Sequence, residues 1–136
     1  MKLGPMKLDQ REVAAVFAGG AVGAVFRVAL SRIFPSGDSQ WPWAVFAINV
    51  SGAFLLGYLV TRLQERLPLS TYRRQLLGTG FCGAYTTFST MQLELLHMAD
   101  AHRYALAAAY LMVSVVCGYT AIYAATAITR RVRLVG

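Results

Sequence analysis

Gly78-Thr79-Gly80-Phe81-Cys82-Gly83-Ala84-Tyr85-Thr86-Thr87-Phe88-Ser89-Thr90-Met91 is the stretch on which the fold turns. It lies in a run, Gln75 to Leu93, of 19 residues without Asp, Glu, Lys or Arg. That length suffices to cross a hydrocarbon core of about 30 Å as a helix. Yet three glycines followed by Thr, Thr, Ser and Thr around one Phe make poor helix. At membrane depth, irregular backbone survives only when buried in protein or lining a watery cavity. The sequence therefore predicts a membrane helix broken near its middle, with freed carbonyls that suit a small cation. A glycine-kinked helix with hydroxyls bonded back to its own turns is the simpler reading of the same residues.

Outward from this stretch the chain repeats the pattern. Ser39 to Thr61 is charge-free for 23 residues and Tyr104 to Thr129 for 26. Val13 to Phe26 is charge-free and continues past Arg27 to Ile33. Four spans are expected, at about 12–33, 41–61, 75–97 and 103–129, in a single all-α membrane domain over 1–136. The chain of 136 residues is 57% hydrophobic and only 14% charged. A soluble domain carries roughly 25% charged residues, so composition excludes that class and a disordered chain alike. Two Cys, both inside spans, exclude a disulfide scaffold. A cleavable signal peptide competes for the N-terminus, but its removal would leave an odd number of spans.

The net charge of +7 lies at the ends of the apolar runs, not in a basic stripe interleaved with aromatics. Membrane lipid is thus the expected partner of these residues, and nucleic acid is not. With four spans, Lys2, Lys7, Arg11, Arg62, Arg66, Arg73, Arg74, Arg130, Arg131 and Arg133 share one side. Arg27, Arg32 and Arg103 mark the other. Read alone, that asymmetry places both termini in the cytoplasm.

Polar groups within the spans point to function, because they are costly there. Arg27 is either an interfacial anchor or a cation at the mouth of an anion pathway. Gly19, Gly20 and Gly23 have the small-xxx-small spacing of close helix packing. Asn49 offers two N–H donors, for an interhelical hydrogen bond or for a ligand. Tyr110, Ser114 and Gly118 fall on one helical face. Acidic residues are expected to be absent from the centre of every span. Hydroxyls of Thr86, Thr87, Ser89, Thr90, Tyr110 and Ser114 join the Asn49 amide as neutral donors. Phe88 lies among them, and an aromatic ring has a positive edge. Such groups could replace part of an anion's hydration shell while still releasing it, as conduction requires. His97 and His102 lack companions at metal-ligand spacing, and no phosphate loop or catalytic constellation is present, so no enzyme is expected.

At these residues the chain resembles the Fluc/CrcB fluoride channels over nearly its whole length. The likeness is carried by Gly19-Gly20-Ala21-Val22-Gly23-Ala24-Val25-Phe26-Arg27, by Asn49-Val50-Ser51-Gly52-Ala53-Phe54-Leu55-Leu56-Gly57, and above all by Gly83-Ala84-Tyr85-Thr86-Thr87-Phe88-Ser89-Thr90. The resemblance implies a passive channel in the cell (inner) membrane that exports fluoride. It implies an antiparallel, dual-topology homodimer of four-span subunits with two pores and one central, structural Na⁺. By that resemblance Asn49, Phe88, Ser89, Met91, Tyr110 and Ser114 line the fluoride pathway, Arg27 lies at its wide entrance, and backbone carbonyls of Gly83 and Thr86 hold the Na⁺. The family usually has a second phenylalanine three residues after the first. Met91 stands there, on the face of Phe88 by its spacing, and a thioether has no positive ring edge. The charge asymmetry also runs against dual topology.

Two other classes compete. A small proton-coupled multidrug exporter also has four short helices, but needs a membrane-buried carboxylate. Glu12, at the start of the first span, is the candidate and is too shallow. A non-transporting membrane scaffold would explain the glycines but not the hydroxyls around Phe88.

Overall fold

The computed structural model describes residues 7–37, 40–65 and 71–132, and these are helical throughout apart from short connections. Helix α1 runs Gln10–Ile33, and the side chain of Asp9 caps it by accepting from the Arg11 N–H at 2.9 Å. It stops at Phe34, immediately before Pro35, which disfavours helical backbone in its predecessor. Helix α2, Trp43–Glu65, begins just after Pro42, and α3 is the single turn Thr71–Arg74. A π-helical segment, Gln75–Cys82, follows, then the short α4, Gly83–Tyr85. After an interruption come α5, Phe88–Asp100, and α6, Tyr104–Arg131.

Among the described residues three helices are long and apolar enough to cross a membrane: α1, Trp43–Leu63 of α2, and α6. The fourth apolar run is not one helix. Thr86 is extended (φ −76°, ψ 153°), and so is Thr87 (φ −146°, ψ 111°). The interruption thus falls within the Gly/Thr stretch, and the preceding segment is widened into a π-helix, a geometry common at functional sites.

Two close pairings organise the chain: α1 lies along the π-helix and α4, and α2 lies along α6. The glycines allow the first. A Cβ on Gly19 would run into the Leu76 carbonyl oxygen, and one on Gly23 into that of Phe81. A Cβ on Gly80 would lie 2.6 Å from the Val16 carbonyl oxygen. The small-residue spacing is therefore spent on packing within the chain, backbone against backbone. At the second pairing a Cβ on Gly57 would lie 3.0 Å from the Ile122 carbonyl oxygen.

A core of Val45, Met91, Met98 and Tyr110 joins α2, α5 and α6. Only 11% of the apolar window of α1 and of α6 is buried, against 39% of that of α2. Helix α2 is therefore central, and α1 and α6 turn large side chains such as Phe17, Val25, Tyr119 and Tyr123 outward. Apolar surface of that extent calls for lipid or another protein.

Candidate functional site: the broken helix and its polar flank

The interruption at Thr86 and Thr87 is held by side chains. Asn49 of α2 donates from Nδ2 to the Thr87 carbonyl at 3.0 Å, and its Oδ1 accepts from the Thr87 N–H at 2.9 Å. The amide thus mimics a strand partner for one extended residue. Thr87 caps α5, its Oγ1 accepting from the Thr90 N–H at 3.2 Å and donating to Thr90 Oγ1 at 2.9 Å. Thr86 Oγ1 donates back to the Cys82 carbonyl at 2.9 Å. The simpler reading, back-bonded hydroxyls, is therefore correct for Thr86, and it coexists with a true break.

This arrangement strips two carbonyls of their helical donors. In a continuous helix the Thr87 N–H would bond the Gly83 carbonyl and the Thr90 N–H the Thr86 carbonyl. Both N–H groups are instead given to side chains, Asn49 Oδ1 and Thr87 Oγ1. Gly83 and Thr86 both line an open groove of about 550 Å³, together with Asn49, Gly52, Thr87 and Phe88. Uncharged oxygens of this kind fit a small hard cation. No cluster of three or more His, Cys, Asp or Glu suited to a metal exists among the described residues.

Each residue expected at the site can be placed. Asn49 keeps one N–H after bonding the Thr87 carbonyl, since its amide carries two. Phe88, 67% exposed, stands in the same groove at the start of α5. Ser89 is exposed, its Oγ 3.4 Å from Thr87 Oγ1. Arg27 is half-buried and borders a cavity of about 380 Å³ with Ser31, Arg32, Thr87 and Thr90. Tyr110 is fully buried. Ser114, one turn along α6, is half-buried, and its Oγ has no hydrogen-bond partner among the described residues.

Met91 follows Phe88 by three residues on α5. It is 7% exposed and packs with Val45, Met98 and Tyr110. Three residues advance an α-helix by about 300°, which turns Met91 roughly 60° from Phe88. Along α5 the inward face is Met91, Leu95 and Met98. Phe88, the first residue of the helix, projects from the end of that face into the groove.

The 75–97 run does hold one acidic residue, three positions from its end. Glu94 lies within α5, half-buried, and its Oε2 accepts from the Tyr110 O–H at 2.8 Å. It borders a third cavity, of about 320 Å³, with Ser31, Gln40, Thr90 and His97. A reading built on charge-free runs stops at Glu94, and so missed it. The carboxylate inside the predicted 75–97 span was itself the available signal.

The three cavities adjoin. Thr87 borders the groove and the Arg27 cavity, and Ser31 and Thr90 border the Arg27 cavity and the Glu94 cavity. A run of hydroxyls, with the Asn49 and Gln40 amides, the Arg27 and Arg32 guanidinium groups, the Phe88 ring and the Glu94 carboxylate, thus follows the flank of α5 from the break toward its C-terminal end. Such a run can hand a small anion from donor to donor without a tight fixed site.

The sequence profile of the family described as "CrcB-like protein, Camphor Resistance (CrcB)" matches residues 14–126. A protein of Mycolicibacterium paratuberculosis named "Fluoride-specific ion channel FluC 1" is 56% identical over 126 residues, covering 93% of this chain and 96% of its own length. Its namesake from Mycobacterium tuberculosis is 57% identical over the same shares. "Fluoride-specific ion channel FluC" of Methanopyrus kandleri is 40% identical over 117 residues, 86% of this chain and 88% of its own.

Proposed function

We propose, from the premise that this chain belongs to the CrcB-like family, that it is a multi-pass membrane protein forming a passive, fluoride-selective channel. The observation that carries the reading is the Asn49 clamp. One amide both holds the helix break open and retains a donor toward the groove that Phe88 enters. Fluoride, drawn toward Arg27, exchanges water for the Asn49 N–H, the ring edge of Phe88 and the hydroxyls of Ser89 and Thr90. Tyr110 and Ser114 supply the α6 side of the path. Neutral donors hold an anion weakly enough to release it, and a narrow path rejects larger halides. No coupling reaction is needed for export from the cytoplasm, which follows the gradient and the membrane potential.

The finer reading concerns assembly. The third apolar run, 75–97, completes four spans by crossing as two stacked segments. The carbonyls of Gly83 and Thr86 would hold a structural Na⁺. Two carbonyls cannot replace a hydration shell, so a second copy offering the same pair about a two-fold axis completes the site. The open groove and the small Gly83, at which a Cβ would meet nothing within 4 Å, leave room for that copy. An antiparallel homodimer with two pores, in the cell (inner) membrane, satisfies this. The ten-to-three charge asymmetry opposes it, so labelling of a single introduced cysteine from each side of intact cells is the test. One-sided labelling overturns the dual topology.

A cation exporter required a membrane-buried carboxylate, and Glu94, half-buried in α5, is a second candidate beside Glu12. It is occupied by Tyr110, however, and the relatives compared are named as fluoride channels. The deciding experiment measures fluoride and chloride efflux from liposomes holding the purified protein. Fluoride efflux without chloride efflux is expected; equal or absent fluoride flux removes the proposal.

A further inference from the structure

The cavity at the far end of the α5 flank carries a pair that the proposed pathway does not use. Glu94 and His97, three residues apart on α5, both border it, with Ser31 of α1, Gln40 of the α1–α2 connection and Thr90. Three residues apart on a helix is neighbouring placement. Glu94 is fixed by the Tyr110 O–H at 2.8 Å. An anion passing this cavity therefore meets a carboxylate that is held in place.

We propose that His97 offsets Glu94 and makes fluoride conduction through this cavity depend on pH. With an imidazolium at His97 the pair is neutral and admits the anion. With a neutral imidazole the carboxylate stands alone and repels it. Conduction therefore falls as pH rises.

Glu94 and His97 are the titratable groups that border the cavity itself. From α6 the titratable neighbour is Tyr110, which donates to Glu94. From α1 come Arg27 and Arg32, in the adjoining cavity that shares Ser31 and Thr90. The α1–α2 connection contributes neutral Ser36 and Gln40. Farther along α5, Asp100 is exposed at the helix end, and Arg103 is exposed ahead of α6. His102, beyond the helix end, lies with Nδ1 3.2 Å from the Tyr104 hydroxyl. Imidazole is the side-chain class that ordinarily changes charge between about pH 5 and about pH 8, and His97 alone of the two borders the cavity.

The inference rests on the fluoride-channel reading, and one experiment separates the two. Fluoride efflux from liposomes holding the full chain is measured with equal pH on both sides, from about pH 5.5 to about pH 8. Wild-type flux is expected to fall roughly fivefold across that range, the effect of one unit charge several ångströms from the path in a partly hydrated cavity. His97→Gln should be flat at the low alkaline rate, His97→Lys flat at the high acid rate, and His102→Gln should keep the wild-type profile. A flat wild-type profile, or a His97→Gln protein that conducts fluoride with the wild-type pH dependence, overturns the inference and leaves the channel reading standing. Absence of wild-type fluoride flux at every pH overturns both.

Discussion

Replacing Asn49 separates its two roles. The side chain makes two hydrogen bonds to Thr87, at 3.0 and 2.9 Å, and keeps one N–H for an anion. Asn49→Ala abandons both backbone groups of a buried residue. Each unpaired group costs about 1–3 kcal/mol, so the protein should lose roughly 2–6 kcal/mol of stability and much of its conduction. Asn49→Asp is different: a carboxylate still accepts from the Thr87 N–H, so roughly half the clamp survives. It removes the spare donor, however, and places a negative charge beside the anion. At 4 Å and an effective dielectric constant of 20 that repulsion is about 4 kcal/mol, or about a thousandfold in rate. The two variants should therefore rank oppositely. Thermal unfolding in detergent should find Asn49→Ala the less stable, and fluoride efflux from liposomes should find Asn49→Asp the slower. If Asn49→Asp conducts within about threefold of wild type while Asn49→Ala does not, Asn49 is only a clamp and the anion passes elsewhere.

Gly23→Ala should destabilise the chain by about 1–3 kcal/mol in thermal or denaturant unfolding, because its methyl would meet the Phe81 backbone; Gly118→Ala, with nothing within 4 Å, should stay within about 0.5 kcal/mol for the isolated protomer. Met91→Ala should cost about 2–5 kcal/mol by emptying the core beside Tyr110 and Met98, whereas a pore-lining Met91 would change conduction with little effect on unfolding. Exchanging Na⁺ for a large organic cation during purification should weaken self-association in size-exclusion chromatography. An unchanged oligomer would argue against a cation at Gly83 and Thr86.

The broken third run was readable in advance because its cause is local: Gly78, Gly80 and Gly83 give poor helix, and Thr86 and Thr87 have hydroxyls that can serve the backbone instead. Gly19 and Gly23 were readable for a similar reason, since their spacing already defines a helical stripe. What holds the break was not readable. Asn49 is 38 residues from Thr87, and only the pairing of α2 with the broken run shows that the amide serves backbone first. The burial of Met91 was not readable either, since it depends on where Val45 and Tyr110 arrive. Glu94 was passed over because scanning for charge-free runs treats a carboxylate as a boundary, and its Tyr110 partner lies on another helix.

Current reversal in a planar bilayer tests the central claim most directly, with fluoride on one side, chloride on the other and a shared cation. If neutral donors along the α5 flank select fluoride, the reversal potential approaches that of a membrane permeable to fluoride alone. Reversal near zero, or on the chloride side, would contradict the account.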